Sequence, residues 1–208
     1  MCQRQLKLYL KLSVMEGCNL EDIVLIGFGG HAKSVADCIK RQGKYRIAGY
    51  TDMSIHETEY EYLGSDNQLE HIYMSGIKNA FVCIGYLGKG CLRENLYIQL
   101  KKIGFYLPII ADPSAIIAES ATIGEGTFIG KNAVINSEAD IGRMAIINTM
   151  ALIEHECVVG DFAHIAVAAV LCGQVEVGNA AFVGANATVI QNMVVNPNQI
   201  VPAGATIR

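Results

Sequence analysis

From Ile117 to the end of the chain, every sixth residue is aliphatic: Ile117, Ile123, Ile129, Ile135, Ile141, Ile147, Ile153, Val159, Ile165, Leu171, Val177, Val183, Val189, Val195, Val201 and Ile207. A mostly small residue stands two places before each, as at Ala133, Ala139, Ala145, Ala151, Cys157, Ala163 and Ala169. Neither the 3.6-residue period of an α-helix nor simple two-residue alternation produces this spacing. A strict hexapeptide period is that of a parallel β-helix. Three hexapeptides close a triangular coil of about 18 residues, and stacked coils share one continuous core. The aliphatic residue points inward, and the small one lets the coil close tightly. The residue after the aliphatic is often Gly or Asn (Gly124, Gly130, Asn136, Gly142, Asn148, Gly160, Gly178, Gly184, Asn196). These types tolerate left-handed backbone, which places the corner there. The register never breaks, so about five coils run without a long inserted loop.

The part before the repeat has different physics. Short apolar strands at 23–26, 45–52, 80–84 and 105–110 alternate with helical stretches at 31–42, 68–75 and 87–103. Strand–helix alternation predicts a parallel α/β sheet with right-handed crossovers. Residues 1–108 hold 13 of the 16 Lys and Arg and 11 of the 20 Asp and Glu; the remaining 3 and 9 lie in residues 109–208. The turn-rich run Ala111-Asp112-Pro113-Ser114 marks the boundary. We therefore divide the chain into an N-terminal extension (1–21), a Rossmann-like βαβ domain (22–110) and a parallel β-helix domain (111–208). The alternating segment Leu6–Met15 carries Lys7 and Lys11, unlike an export signal. It is either an edge strand or an extension ahead of Met15.

Composition excludes several classes. Of 208 residues, 51% are hydrophobic and 17% charged, which is incompatible with disorder. The net charge of -4 argues against a nucleic-acid surface. The longest apolar run, Ile165–Cys172, is too short to cross a membrane. The seven cysteines are odd in number and form no CxxC, so they read as buried free thiols of a cytoplasmic protein, with no metal site.

Two constellations carry chemistry. The run His155-Glu156 offers a base of near-neutral pKa beside a carboxylate that holds its tautomer. His164 follows nine residues later, half of an 18-residue coil, so the two histidines point to opposite sides of one prism. A neighbouring subunit can bring one chain's His155 to another's His164, which favours an oligomer with shared sites. Gly173 stacks on His155 one coil later, leaving open space beside the base and a backbone N–H for a developing oxyanion. Asn148, at the corner position, reads equally as a left-handed turn residue or a substrate contact. In the first half, Gly27-Phe28-Gly29-Gly30-His31-Ala32 follows a strand and opens a helix, with Asp52 ending the next strand. Such a turn lets phosphate approach a helix N-terminus, and the small domain suits one nucleotide. Arg93 reads as a phosphate contact or a solvated helix charge.

The opening Ile26-Gly27-Phe28-Gly29-Gly30-His31-Ala32-Lys33, the block Ile147-Asn148-Thr149 and the run from Ile153-Glu154-His155-Glu156-Cys157 to Gly160-Asp161-Phe162-Ala163-His164-Ile165 resemble the PglD/NeuD-type acyltransferases over roughly residues 22–208. The resemblance implies a left-handed β-helix, a homotrimer with active sites at subunit interfaces, and acetyl-CoA as cosubstrate. It implies N-acetylation of a nucleotide-activated amino sugar, of the UDP-4-amino-4,6-dideoxy-hexose type, in bacterial glycan biosynthesis. It makes His155 the base and Glu156 its helper. It assigns His164, Gly173, Ala185 and Ala203 to acetyl-CoA, and Gly29, Gly30, His31, Asp52, Gly85 and Tyr86 to the nucleotide-sugar. Rival readings are a sialic acid O-acetyltransferase and a non-catalytic or metal-binding β-helix subunit. The family has Gly where Met150 stands and a Pro-Gly-like turn at Ala168-Ala169, and it continues past the position of Arg208 with a tail near the CoA adenine.

Overall fold

The computed structural model describes residues 20–85 and 91–208. The segment Leu6–Met15 and Tyr86 lie outside the described residues.

The first unit is a three-stranded parallel sheet. β1 (Glu21–Ile26) lies centrally between β2 (Tyr45–Thr51) and β3 (Asn79–Val82). The buried run Ile23-Val24-Leu25-Ile26 in β1 packs on both faces, as expected of a covered parallel strand. Helix α1 (Gly30–Gln42) follows the glycine turn, buries Ala32, Val35, Ala36, Cys38 and Ile39, and stops at Gly43 in left-handed conformation. A 3-10 turn (Asp66–Gln68) leads into α2 (Leu69–Met74), and α3 (Leu92–Ile103) closes the unit. The expected fourth strand over 105–110 is not formed. Tyr106 makes a single bridge to Asn79, and the chain then passes directly into the prism.

From Ile110 to Ile207 the chain forms two-residue strands in three parallel sheets of six, six and five strands. The first face carries Ile110–Ala111, Phe128–Ile129, Ile146–Ile147, His164–Ile165, Phe182–Val183 and Ile200–Val201. Partners are 18 residues apart, so Ile147 pairs with Ile165 and Ile153 with Leu171. The aliphatic positions from Ile129 to Val201 and the small residues between them form one core.

The corner geometry corrects the expected one. The left-handed residue is the third after each aliphatic, not the first: Asn132, Glu138, Met144, Met150, Glu156, Phe162, Ala168 and Gln174 all have φ between 53° and 62°. Non-glycine residues pay roughly 1–2 kcal/mol for this conformation. Stacking compensates, because the corner N–H donates to a carbonyl one coil earlier, as Met150 to Lys131 (2.8 Å) and Gln174 to His155 (3.0 Å). The glycine after the aliphatic has another cause. A Cβ on Gly124 would lie 2.4 Å from the Arg143 nitrogen, and one on Gly184 would lie 2.5 Å from that of Ala203. Successive coils simply pass too close there.

The two units share buried surface. Phe128 and Ile146, outward on the first face, join the core of β1 and α1. Arg41 pairs with the buried Asp112 carboxylate at 3.0 Å, Lys131 pairs with Asp37 at 2.5 Å, and the Cys38 thiol donates to Asp112 at 3.3 Å. Among the described cysteines, Cys38, Cys83 and Cys157 are buried and free, Cys172 is half-buried, and Cys91 is exposed, contrary to the expectation of uniform burial.

Candidate functional site

Five of the residues expected to hold a nucleotide-sugar converge. Gly29, Gly30, His31, Asp52 and Gly85 line one cleft of about 530 Å³ at the C-terminal ends of the parallel strands. That is where open α/β sheets place ligands. Gly29 caps α1 with no side chain, leaving the first amides of the helix facing outward. Asp52 is partly consumed by the loop. Its Oδ2 accepts the Phe28 N–H at 2.7 Å and lies 3.1 Å from His56 Nε2. Burial works against ionisation here, but hydrogen bonds from the Phe28, Met53 and Ser54 amides and from His56 prevail and hold its pKa below the usual range. Gly27, Phe28, Met53, Asp66, Cys83, Ile84 and Leu92 complete the lining. Sequence reasoning missed Asp66, which sits between recognisable elements and belongs to no motif.

On the prism, His155 and Glu156 occupy the corner between the second and third faces. His155 Nδ1 lies 3.0 Å from Glu156 Oε2, and Gln174, one coil later, donates to the same oxygen at 3.2 Å. These two contacts, His155 first, lower the Glu156 pKa. A carboxylate on Nδ1 leaves Nε2 as the working nitrogen of the ring. Gly173 is not beside empty space as expected. A Cβ there would fall 2.6 Å from both Cε1 and Nε2 of His155, so the ring itself fills the place of the missing side chain.

His164 stands on the first face, opposite that corner, and does not meet His155. It is buried, packs edge-on against Phe182 at 5.1 Å, and its Nε2 lies 3.4 Å from Asn148 Nδ2. With the amide donating, Nε2 accepts and the proton resides on Nδ1, which has no partner among the described residues. Asn148 is absent from the left-handed residues, so that part of the turn reading fails, although its carbonyl opens the corner by accepting the Ala151 amide at 3.1 Å. Burial, with Arg93 and His31 adding repulsion, pushes the His164 pKa down to about 3; burial and Arg93 push His31 to about 4. Arg93 is neither a solvated charge nor a free phosphate ligand. It reaches from α3 into the prism, donating to the carbonyls of Phe162 (3.0 Å) and Met144, and burial lowers its pKa to about 10.

The comparisons with known proteins follow this division. The PglD N-terminal domain family matches residues 22–100. The perosamine N-acetyltransferase of Caulobacter crescentus, solved as a histidine-to-asparagine mutant with CoA and GDP-perosamine, is 32% identical, with 92% of this chain and 90% of that one covered and a TM-score of 0.86. The chain belongs to the PglD-type hexapeptide-repeat acetyltransferases. The PglB acetyltransferase domain of Neisseria gonorrhoeae FA1090 is 27% identical over 90% of this chain and 91% of that one, with a TM-score of 0.84. Comparison with curated proteins returns no match.

As a PglD-type acetyltransferase, the chain carries a left-handed β-helix behind its strand–helix domain. Ala185 and Ala203 stack at the corner between the first and second faces, away from His155, and the Ala185 carbonyl accepts the Gly204 amide at 2.9 Å. Met150 and Ala168 share that corner with φ of 59° and 55°, which explains why glycine suits the Met150 position.

Proposed function

We propose that this PglD-type enzyme moves the acetyl group of acetyl-CoA onto the amine of a nucleotide-activated amino sugar. The observation that carries the reading is the chain-length match to an N-acetyltransferase solved with CoA and GDP-perosamine, covering both the cleft and the prism. The site geometry supports it. The sugar amine attacks the thioester carbonyl, forming the C–N bond, and His155 Nε2 takes the proton that nitrogen must lose. Glu156 stabilises the resulting imidazolium. The C–S bond then breaks, and the imidazolium returns the proton to the departing thiolate. His164 and Gly173 serve the thioester end, with Ala185 and Ala203 along the CoA path. Gly29, Gly30, His31 and Asp52 hold the nucleotide, Gly85 flanks it, and Asn148 contacts the acceptor. Residues 22–110 thus form the nucleotide-sugar domain and residues 111–208 the acetyl-CoA domain.

The working form is a homotrimer, because His155 and His164 lie on opposite sides of each prism and only a neighbour unites them. A cytoplasmic setting agrees with free cysteines and an acetyl-CoA cosubstrate, and no described helix is long and apolar enough to cross a membrane. The test is incubation with acetyl-CoA and a panel of nucleotide-linked 4-amino sugars, following free thiol and product mass. Thiol release with one acetyl added to the amine is expected. No release with any member of the panel overturns the reading.

A further inference from the structure

The cleft that receives the nucleotide is walled by Phe28, Met53, Cys83, Ile84 and Leu92, and side-chain oxygen enters it only from Asp52 and Asp66 among the described residues. An acidic lining is unexpected for a dianionic ligand unless the carboxylates meet hydrogen-bond donors rather than phosphate. The two differ in what they have left to offer. Asp52 Oδ2 already faces the Phe28 amide and His56, and its Oδ1 faces the Ser54 amide at 3.4 Å. Asp66 is held once: Oδ1 accepts the hydroxyl of the fully buried Thr51 at 2.7 Å. Oδ2 carries no hydrogen bond among the described residues.

The backbone fixes that carboxylate in place. The Asp52 amide donates to the Gly64 carbonyl at 3.1 Å, which draws the segment before Asp66 alongside the end of β2. Gly64 turns it there at φ 99°, a conformation other residues resist. Asp66 therefore reaches the cleft from the loop after β2. The glycine turn and the N-terminus of α1, which suit phosphate, line the same cleft from the end of β1.

We propose that Asp66 reads the nucleobase and selects guanine, so that the substrate is a guanosine-diphosphate-linked amino sugar. This rests on the nucleotide-sugar reading above. A carboxylate offers only acceptors. Guanine presents N1–H and N2–H2 side by side, two donors that one carboxylate meets together. Uracil presents a single N3–H between two carbonyl oxygens that the carboxylate repels. Adenine and cytosine each place a lone pair beside their amino group. Asp66 thus favours guanine, in contrast to the uridine nucleotide that the sequence resemblance implies.

The test is competitive binding of GDP, UDP, ADP and CDP to the full chain, as wild type and as Asp66→Asn. The amide keeps an acceptor for Thr51, so the fold is retained, and far-UV circular dichroism with thermal unfolding checks it. A bidentate base contact discriminates by roughly tenfold or more. GDP is expected to bind at least about tenfold more tightly than UDP in the wild type, and the GDP:UDP ratio to approach one in Asp66→Asn. The ratio matters because removing a negative charge strengthens every diphosphate alike. If wild type binds GDP no better than UDP, or keeps its preference in Asp66→Asn, the assignment falls while the nucleotide site stands. If none of the four nucleotides binds, the nucleotide-sugar reading falls with it.

Discussion

The imidazole of His155 rests on the bare Cα of Gly173, in the volume a Cβ would fill. The two are 18 residues apart, one coil, so the repeat itself delivers the glycine to the histidine. Gly173 is not in left-handed conformation, and alanine is compatible with its backbone. Gly173→Ala is therefore expected to leave the prism folded and push the ring aside. A displacement near 1 Å at a reacting group costs on the order of 10²-fold in rate. Steady-state kinetics should show kcat falling by about that factor, with the melting temperature nearly unchanged.

Glu156 is expected to act through His155. It is solvent-exposed, so its value lies in orientation rather than in stability. Its folded pKa is lowered, so the carboxylate persists above its ordinary value of 4.5 and is lost only as pH falls through the depressed one. It is thus ionised throughout a normal assay range. Glu156→Gln should lower kcat about 10–100-fold, a partial loss of general-base assistance. Stability to urea at pH 7 should stay the same. An unchanged kcat would separate Glu156 from the chemistry.

The period-six pattern made the prism, its core and its rung spacing legible, because each inward position is dictated by packing alone. The corner was misplaced for a physical reason. Glycine marks two different needs, left-handed backbone and close approach, and the sequence does not distinguish them. At Gly124 and Gly184 the need is close approach, whereas the left-handed positions carry residues such as Glu138, Met144 and Phe162. His155 and Glu156 were legible because their pairing is local. Arg93 was not, because its partners at Met144 and Phe162 lie more than 50 residues away. Asp66 was invisible for the same reason: only the fold brings it to the glycine turn.

The buried His164 and the half-buried His31 make stability acid-sensitive. His31 and His164 titrate at about 4 and about 3 in the folded chain, against an ordinary value of 6.5. Between those values the unfolded chain binds protons that the fold excludes, so stability is full above pH 6.5 and falls as pH drops toward 4. The slope is about 1.4 kcal/mol per pH unit for each histidine. Urea unfolding at pH 7 and pH 5 should register the loss, and His164→Gln should reduce the difference by roughly half. A pH-independent midpoint would show that neither ring is excluded from protonation.

Arg93 fastens α3 to the prism through the Phe162 and Met144 carbonyls. Arg93→Met fills similar space but leaves both acceptors buried without a donor. Charged hydrogen bonds contribute about 1.5–3 kcal/mol each, so a loss of about 2–4 kcal/mol is expected. Arg93→Lys restores one donor and should recover part of it. Thermal unfolding of the three proteins checks the order.

The last expectation follows from the prism's symmetry. His155 sits at the corner between the second and third faces, and His164 lies on the first face, directly across the core. No rotamer of either side chain spans that core, which is filled by Ile147, Ile153, Val159, Ile165 and their neighbours. If the working site needs both, each chain supplies one half to a different site. His155→Ala and His164→Ala subunits should each be nearly inactive alone. In a mixed trimer, some interfaces join an intact His155 to an intact His164, and activity should return to a substantial fraction of wild type. Co-expression with two affinity tags isolates such mixtures, and thiol release measures them. Absence of recovery in verified mixed trimers would show that the two histidines do not serve one shared site.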